Sequence, residues 1–195
     1  MFTKNTYLIK ERFSMFKMVD RYDIFDVENG TMVAYAKESI PQWKKALRLV
    51  LKKSLMSTKI EIKNADTDEE MYSLHKPFAW LRPSVYVYNA QGGEIGYFKS
   101  RIFTLGGRFD VFSAQNSKIA ELKGNWTGWN FKFEDVSGNQ IGEVTKKWAG
   151  IGKEFFTNSD NYVVSLGKNT LLQPELMALL IIAGLAVDVV YKEQQ

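Results

Sequence analysis

Apolar and polar side chains alternate in four stretches of the chain, and each stretch runs into a polar turn. Residues 22–32 read Tyr-Asp-Ile-Phe-Asp-Val-Glu-Asn-Gly-Thr-Met and residues 85–95 read Val-Tyr-Val-Tyr-Asn-Ala-Gln-Gly-Gly-Glu-Ile. Residues 109–119 read Phe-Asp-Val-Phe-Ser-Ala-Gln-Asn-Ser-Lys-Ile and residues 131–141 read Phe-Lys-Phe-Glu-Asp-Val-Ser-Gly-Asn-Gln-Ile. A period of two marks a strand with one buried face. The Asn/Gly-rich turns accept the positive φ that tight hairpins need. An aliphatic residue opens the second run at Ile95, Ile119 and Ile141, at spacings of 24 and 22 residues. The pattern therefore predicts successive hairpins, with a fifth from residues 59–62 to 71–74 around a turn at 64–70. Sequential hairpins imply a meander or a barrel, which protects sheet edges.

Two segments depart from this period. Residues 41–56, Pro-Gln-Trp-Lys-Lys-Ala-Leu-Arg-Leu-Val-Leu-Lys-Lys-Ser-Leu-Met, gather Trp43, Ala46, Leu47, Val50, Leu51 and Leu55 on one helical face. Pro41 suits a first helical turn, and Ser39 is a candidate cap. Lys44, Lys45, Arg48 and Lys52 lie mostly opposite, with Leu49 among them and Lys53 near the edge. The second segment opens at Pro174 and Glu175 and holds no polar side chain from Leu176 to Val187. A helix apolar all round is buried in protein or in lipid. Residues 176–190 would span roughly 22 Å against a bilayer core of about 30 Å. Asp188 would cost about 2.5–3.5 kcal/mol near a membrane centre. The sequence thus predicts a buried core helix and no transmembrane span.

Composition sharpens the picture. The 195 residues fit one domain, expected to span 1–195, with no Pro/Ser-rich linker to divide it. Aromatics at 14% favour strands. The chain has no cysteine, which excludes disulfides, thiolate metal sites, cysteine nucleophiles and palmitoyl or prenyl anchors. Met1 to Thr6 form no apolar h-region, so no signal peptide is expected and the predicted location is cytoplasmic. Net charge is +4, and residues 41–56 hold five basic residues and no acidic one. The remaining 21 basic and 22 acidic residues leave the rest of the chain at −1.

Candidate chemistry is sparse. His75 is the one histidine, at the end of a predicted strand, so no Ser-His-Asp arrangement is expected. The acidic run at residues 66–70 lacks the glycine and late glutamate of a calcium loop and reads as a solvated turn. Gly92, Gly93, Gly96, Gly106 and Gly107 form no dinucleotide or P-loop fingerprint and read as turn glycines. Trp126, Trp129, Trp148, Phe131 and Phe133 near Lys123, Lys132, Lys146 and Lys147 could stack bases, but strand alternation accounts for the aromatics and nucleic acid is not expected. No catalytic constellation, cofactor or metal site is expected, and the chain is predicted not to be an enzyme.

Residues 142–162 carry a resemblance. Gly142, Thr145-Lys146, Trp148 and Gly150 are followed by Glu154 and an aromatic-rich Phe155-Phe156-Thr157-Asn158-Ser159-Asp160-Asn161-Tyr162. This stretch resembles the phospholipid scramblase family, as do His75-Lys76-Pro77-Phe78 and the apolar C-terminal helix with its late Asp188. The likeness covers roughly residues 20–193. It implies the fold shared with the Tubby C-terminal domain and LURP-one-related proteins: a mainly β closed antiparallel barrel of about 12 strands around the buried C-terminal helix, with the amphipathic helix at 41–56 added. The family's calcium loop would fall on Asn158, Asp160, Tyr162 and Asn169. One carboxylate is too few for calcium, so no metal is expected there.

Together these readings predict a protein that binds an anionic phospholipid membrane surface peripherally, at the inner face of the membrane. Trp43 would anchor at the interface, and Lys44, Lys45, Arg48, Lys52 and Lys53 would meet lipid phosphates. A soluble barrel acting as a scaffold for a protein partner is the alternative the residues leave open.

Overall fold

A computed structural model describes residues 2–12, 21–39, 56–79, 82–101, 107–125, 130–146, 161–167 and 174–191. The helix predicted at 41–56 lies outside them, apart from Met56. The strands are β1 (Thr6–Arg12), β2 (Arg21–Asp26), β3 (Met32–Glu38), β4 (Thr58–Asn64), β5 (Glu70–Lys76), β6 (Ser84–Asn89), β7 (Glu94–Ser100), β8 (Arg108–Ser113), β9 (Lys118–Asn125), β10 (Asn130–Asp135), β11 (Gln140–Thr145) and β12 (Asn161–Leu166). Each pairs antiparallel with its neighbours in sequence, and β1 also pairs with β12 through Leu8 and Val163, so the meander closes as a barrel. All five hairpins read from the alternation are present, with strands of six to eight residues.

One device builds all five. The residue entering each turn is Asp26, Asn64, Asn89, Ser113 or Asp135, and its side chain accepts backbone N–H groups of the turn. Asn89 Oδ1 takes Gln91 N at 3.1 Å and Gly93 N at 2.8 Å, and Asp135 Oδ1 takes Ser137 N and Asn139 N, both at 2.8 Å. A residue at positive φ follows, such as Gly92 (φ 78°) or Asn116 (φ 61°). The loops after Asn89, Ser113 and Asp135 hold three residues and those after Asp26 and Asn64 hold four, and each ends in a left-handed residue that matches the strand twist. Each of these pairs also shifts register once near its turn.

Twelve strands enclose more space than an eight-stranded barrel, whose interior side chains alone fill. Here the space holds α1 (Pro174–Tyr191). Its first two residues are exposed, Leu176 and Met177 are half-buried, and every residue from Ala178 to Val190 is buried. That explains a helix with no polar face: the barrel wall surrounds it. Phe98, Phe109, Phe131, Phe133 and Tyr162 project inward against it, each at most 1% exposed. The helix lies closest to β7 and β12. Gly184 permits the second approach, since a Cβ there would sit 2.8 Å from Tyr162 Cε2 and 2.9 Å from Val164 Cγ2. Gly96 permits the first. It belongs to β7 rather than to a turn, which corrects the expectation for this glycine; a Cβ would meet the Phe112 carbonyl oxygen at 2.4 Å and Leu179 Cδ2 at 2.8 Å.

Candidate functional site

The two barrel ends differ. One end carries the five tight turns. The other carries the longer connections and the last turn of α1. Glu175 lies beside Tyr72, whose strand partner Asn89 opens a tight turn, whereas Asp188 lies beside Tyr22 near the start of β2. The helix therefore runs from the tight-turn end to the long-connection end.

At the long-connection end the inward rows become polar. Glu38, Thr58, Lys76 and Ser100 continue the apolar rows of β3, β4, β5 and β7 and remain buried. A buried ammonium is costly unless bonded, and Lys76 Nζ donates to the Met56 carbonyl at 3.0 Å. Asp188 is 1% exposed and accepts a hydrogen bond from the Tyr22 hydroxyl. Burial, and then the charge of Asp188, push the Tyr162 hydroxyl well above its ordinary pKa. Asp188 stands in the last turn of α1, where a negative charge opposes the helix dipole. Its contribution is thus tertiary, through the tyrosine it bonds, rather than to the helix itself.

The predicted lipid-binding residues Trp43, Lys44, Lys45, Arg48, Lys52 and Lys53 lie outside the described residues. Their attachment is fixed by what flanks them. Glu38 pairs with Ile60, and Ser39 N donates to the Lys59 carbonyl at 2.8 Å, so segment 40–55 leaves and re-enters the barrel at the end that holds Asp188. Residues 147–160 of the family-like stretch also lie outside the described residues and join β11 to β12 at that same end. Of the positions read against a calcium loop, Tyr162 is an inward core residue, and Asn158, Asp160 and Asn169 are not described. Among the described residues no group of three or more His, Cys, Asp or Glu is placed to hold a metal.

On the outer wall from the end of β7 to β10 a group of charges is matched. Arg101 donates to both oxygens of Asp110 at 2.7 Å, Lys118 reaches Asp110 at 2.6 Å, Arg108 faces Glu121 at 3.4 Å, and Lys123 reaches Glu134 at 2.5 Å. Burial works against ionisation of Asp110, but hydrogen bonds from Arg101 and Lys118 outweigh it and hold the carboxyl below its usual range. His75 is a strand residue set between Lys59 and Tyr86. Phe131 and Phe133 are fully buried inside the barrel and so cannot stack bases. The acidic run is a tight turn, with Asn64 Oδ1 accepting Asp66 N at 2.8 Å and Thr67 N at 3.1 Å.

The tight-turn end is apolar and indented. Val33, Met71, Ile95, Ile119 and Ile141, each just after a turn, form a half-buried rim together with Leu176 and Met177. That rim is the reason for the recurring aliphatic residue. One cavity of about 390 Å³ lies between residues 2–4, the β2–β3 turn and the β4–β5 turn. A second, of about 310 Å³, lies beside Tyr72, Ile95 and Glu175. Sequence reasoning missed both, because neither has a motif; the hairpin period of the aliphatic residues was the available signal.

A closed twelve-stranded barrel threaded by an apolar helix is the setting for the comparisons with known proteins. A family model described as Scramblase matches residues 4–194, so the chain belongs to the scramblase family. The chain is also similar to a phospholipid scramblase family protein of Schizosaccharomyces pombe, at 23% identity over 118 residues. That match covers 51% of this chain and 31% of the relative, so the chain spans about a third of that protein's length. No solved structure matches. Among the described residues no helix is long and apolar enough to cross a membrane.

Proposed function

We propose that the protein, as one domain over residues 1–195, binds an anionic phospholipid surface from the cytoplasmic side without making or breaking a covalent bond. The observation that carries this reading is the concentration of the whole positive balance in one amphipathic segment, residues 41–56, of a scramblase-family chain. The outer wall from β7 to β10 supports it by contrast, since Arg101, Arg108, Lys118 and Lys123 there face carboxylates. Trp43 would seat in the interface. Each of Lys44, Lys45, Arg48, Lys52 and Lys53 would contribute about 1 kcal/mol near an anionic leaflet. Five such contributions, about 5 kcal/mol, raise partitioning by between three and four orders of magnitude. The barrel supplies the scaffold, and its buried helix stays inside.

Reversing Lys44, Lys45 and Arg48 to glutamate tests this. Vesicle binding should be lost while the far-ultraviolet spectrum and the unfolding midpoint stay those of the parent. Undiminished binding by the folded triple variant would remove this segment from the mechanism, and a protein-interaction scaffold would then be the better reading.

A further inference from the structure

The charges of the barrel are sorted along its axis. Taken with one residue on either side, the five tight turns hold nine carboxylates and two lysines. Lys4, which donates to Glu28, and Glu175 at the start of α1 belong to the same end, and together these groups give it a net charge of −7. The other described residues hold thirteen Lys and Arg against eight Asp and Glu. The long-connection half therefore carries +5, before the five basic residues of the 40–55 connection are counted. Part of that charge is available to a partner. Lys37, Lys99 and Lys132 are exposed, stand in outward rows within two residues of a strand end, and make no ion pair among the described residues. An apolar group stands among them. Phe78 follows β5 at this end, is 59% exposed, and is the one exposed Phe, Tyr or Trp among the described residues.

We infer that the barrel itself meets an anionic phospholipid surface end-on. The long-connection end lies against the membrane, Phe78 seats in the interface, Lys37, Lys99 and Lys132 face lipid phosphates, and the tight turns point away. This rests on the vesicle-binding reading and adds a second contact to it, outside residues 41–56. The dimensions of the barrel favour this pose. The 18 residues of α1 span the interior from one end to the other, about 27 Å at about 1.5 Å per residue. End-on, the acidic turns stand that far from the surface, more than two screening lengths at 0.1 M salt, where one length is about 10 Å. Their repulsion is then largely screened. Laid on its side, the barrel would bring both ends to the surface, and the −7 end would more than offset the +5 half. Lysine stems can lie along the barrel rim while their ammonium groups reach the headgroups, and an apolar ring beside basic residues is the composition of interfacial contacts.

The test uses the full chain, which has no cysteine, so one introduced cysteine takes an environment-sensitive fluorophore at a single place. Phe78→Cys and Val136→Cys mark the two ends at exposed positions, Val136 being 71% exposed in the β10–β11 turn. On vesicles of mixed phosphatidylserine and phosphatidylcholine, the label at position 78 should shift to the blue and be quenched by spin-labelled lipid. The label at position 136 should do neither. Independently of any label, Lys99→Gln combined with Lys132→Gln should weaken binding to these vesicles at least about fivefold, the effect of one lysine near an anionic leaflet. Asp66→Asn combined with Glu94→Gln, at the far end, should leave it unchanged. A silent label at position 78 in protein that co-sediments, a response at position 136, or equal binding by the two double variants would overturn the end-on pose while leaving the parent's vesicle binding in place. Absence of vesicle binding by the parent itself would overturn both.

Discussion

Replacing Gly96 by alanine measures how closely α1 packs against the barrel wall. Gly96 has φ +156°, and an added Cβ would stand 2.4 Å from the backbone oxygen of Phe112 on β8 and 2.8 Å from Leu179 Cδ2 on α1. A backbone oxygen cannot rotate aside, and Leu179 is 1% exposed within a packed core. Either β7 and β8 separate or the helix retreats. Strained backbone costs about 1–3 kcal/mol, and overpacking adds about 1–3 kcal/mol. Gly92, in the turn of the same hairpin, is the control. Its φ is +78°, but nothing lies within 4 Å of its added Cβ, so alanine there meets only the conformational cost of about 1–2 kcal/mol. Gly96→Ala should therefore exceed Gly92→Ala by about 1–3 kcal/mol. With a urea m-value near 2 kcal/mol/M, that is a midpoint about 0.5–1.5 M lower at unchanged slope. Equal destabilisation by the two variants would show that the helix does not press on β7 at this point.

Asp188→Ala should destabilise the fold by about 1–3 kcal/mol, because it leaves the buried Tyr22 hydroxyl without its acceptor, while Asp188→Asn should recover most of the loss; thermal unfolding of the pair checks this. Asp110 is held below its ordinary range, so its stabilisation is fully present above the usual carboxylate pKa and is lost as pH falls through the lower, folded value. Asp110→Asn should lower stability at neutral pH and flatten the acid limb of the urea midpoint against pH; an unchanged acid limb would contradict the assignment of that depression to Arg101 and Lys118.

The hairpins were legible because each is specified locally. A period of two and an Asx, Ser, Gly or Asn turn lie within about a dozen residues of one another, and both signals survive without any tertiary context. The apolar helix was legible for the same reason. The closing strands were harder. β1 and β12 have no shared tight turn, and their pairing of Tyr7 with Val164 joins residues at opposite ends of the chain. The twelve-strand count thus came from family resemblance rather than from alternation. Gly96 was misread as a turn glycine because its reason is the approach of Phe112 and Leu179, which no local pattern encodes. The buried polar layer of Glu38, Thr58 and Lys76 has no local signature, because its burial depends on the barrel closing around the strand ends. Asp26 caps its turn like the other turn-entering residues, and only its register opposite Tyr7 shows that it also stands in an inward row.

The most direct test of the account is co-sedimentation of the purified protein with liposomes of neutral and of anionic phospholipid, each at low and at high salt. The account predicts binding to anionic vesicles alone. That binding should fall steeply as salt shortens the screening length from about 10 Å at 0.1 M to about 3 Å at 1 M. Equal behaviour with both vesicle types, bound or unbound, would contradict it.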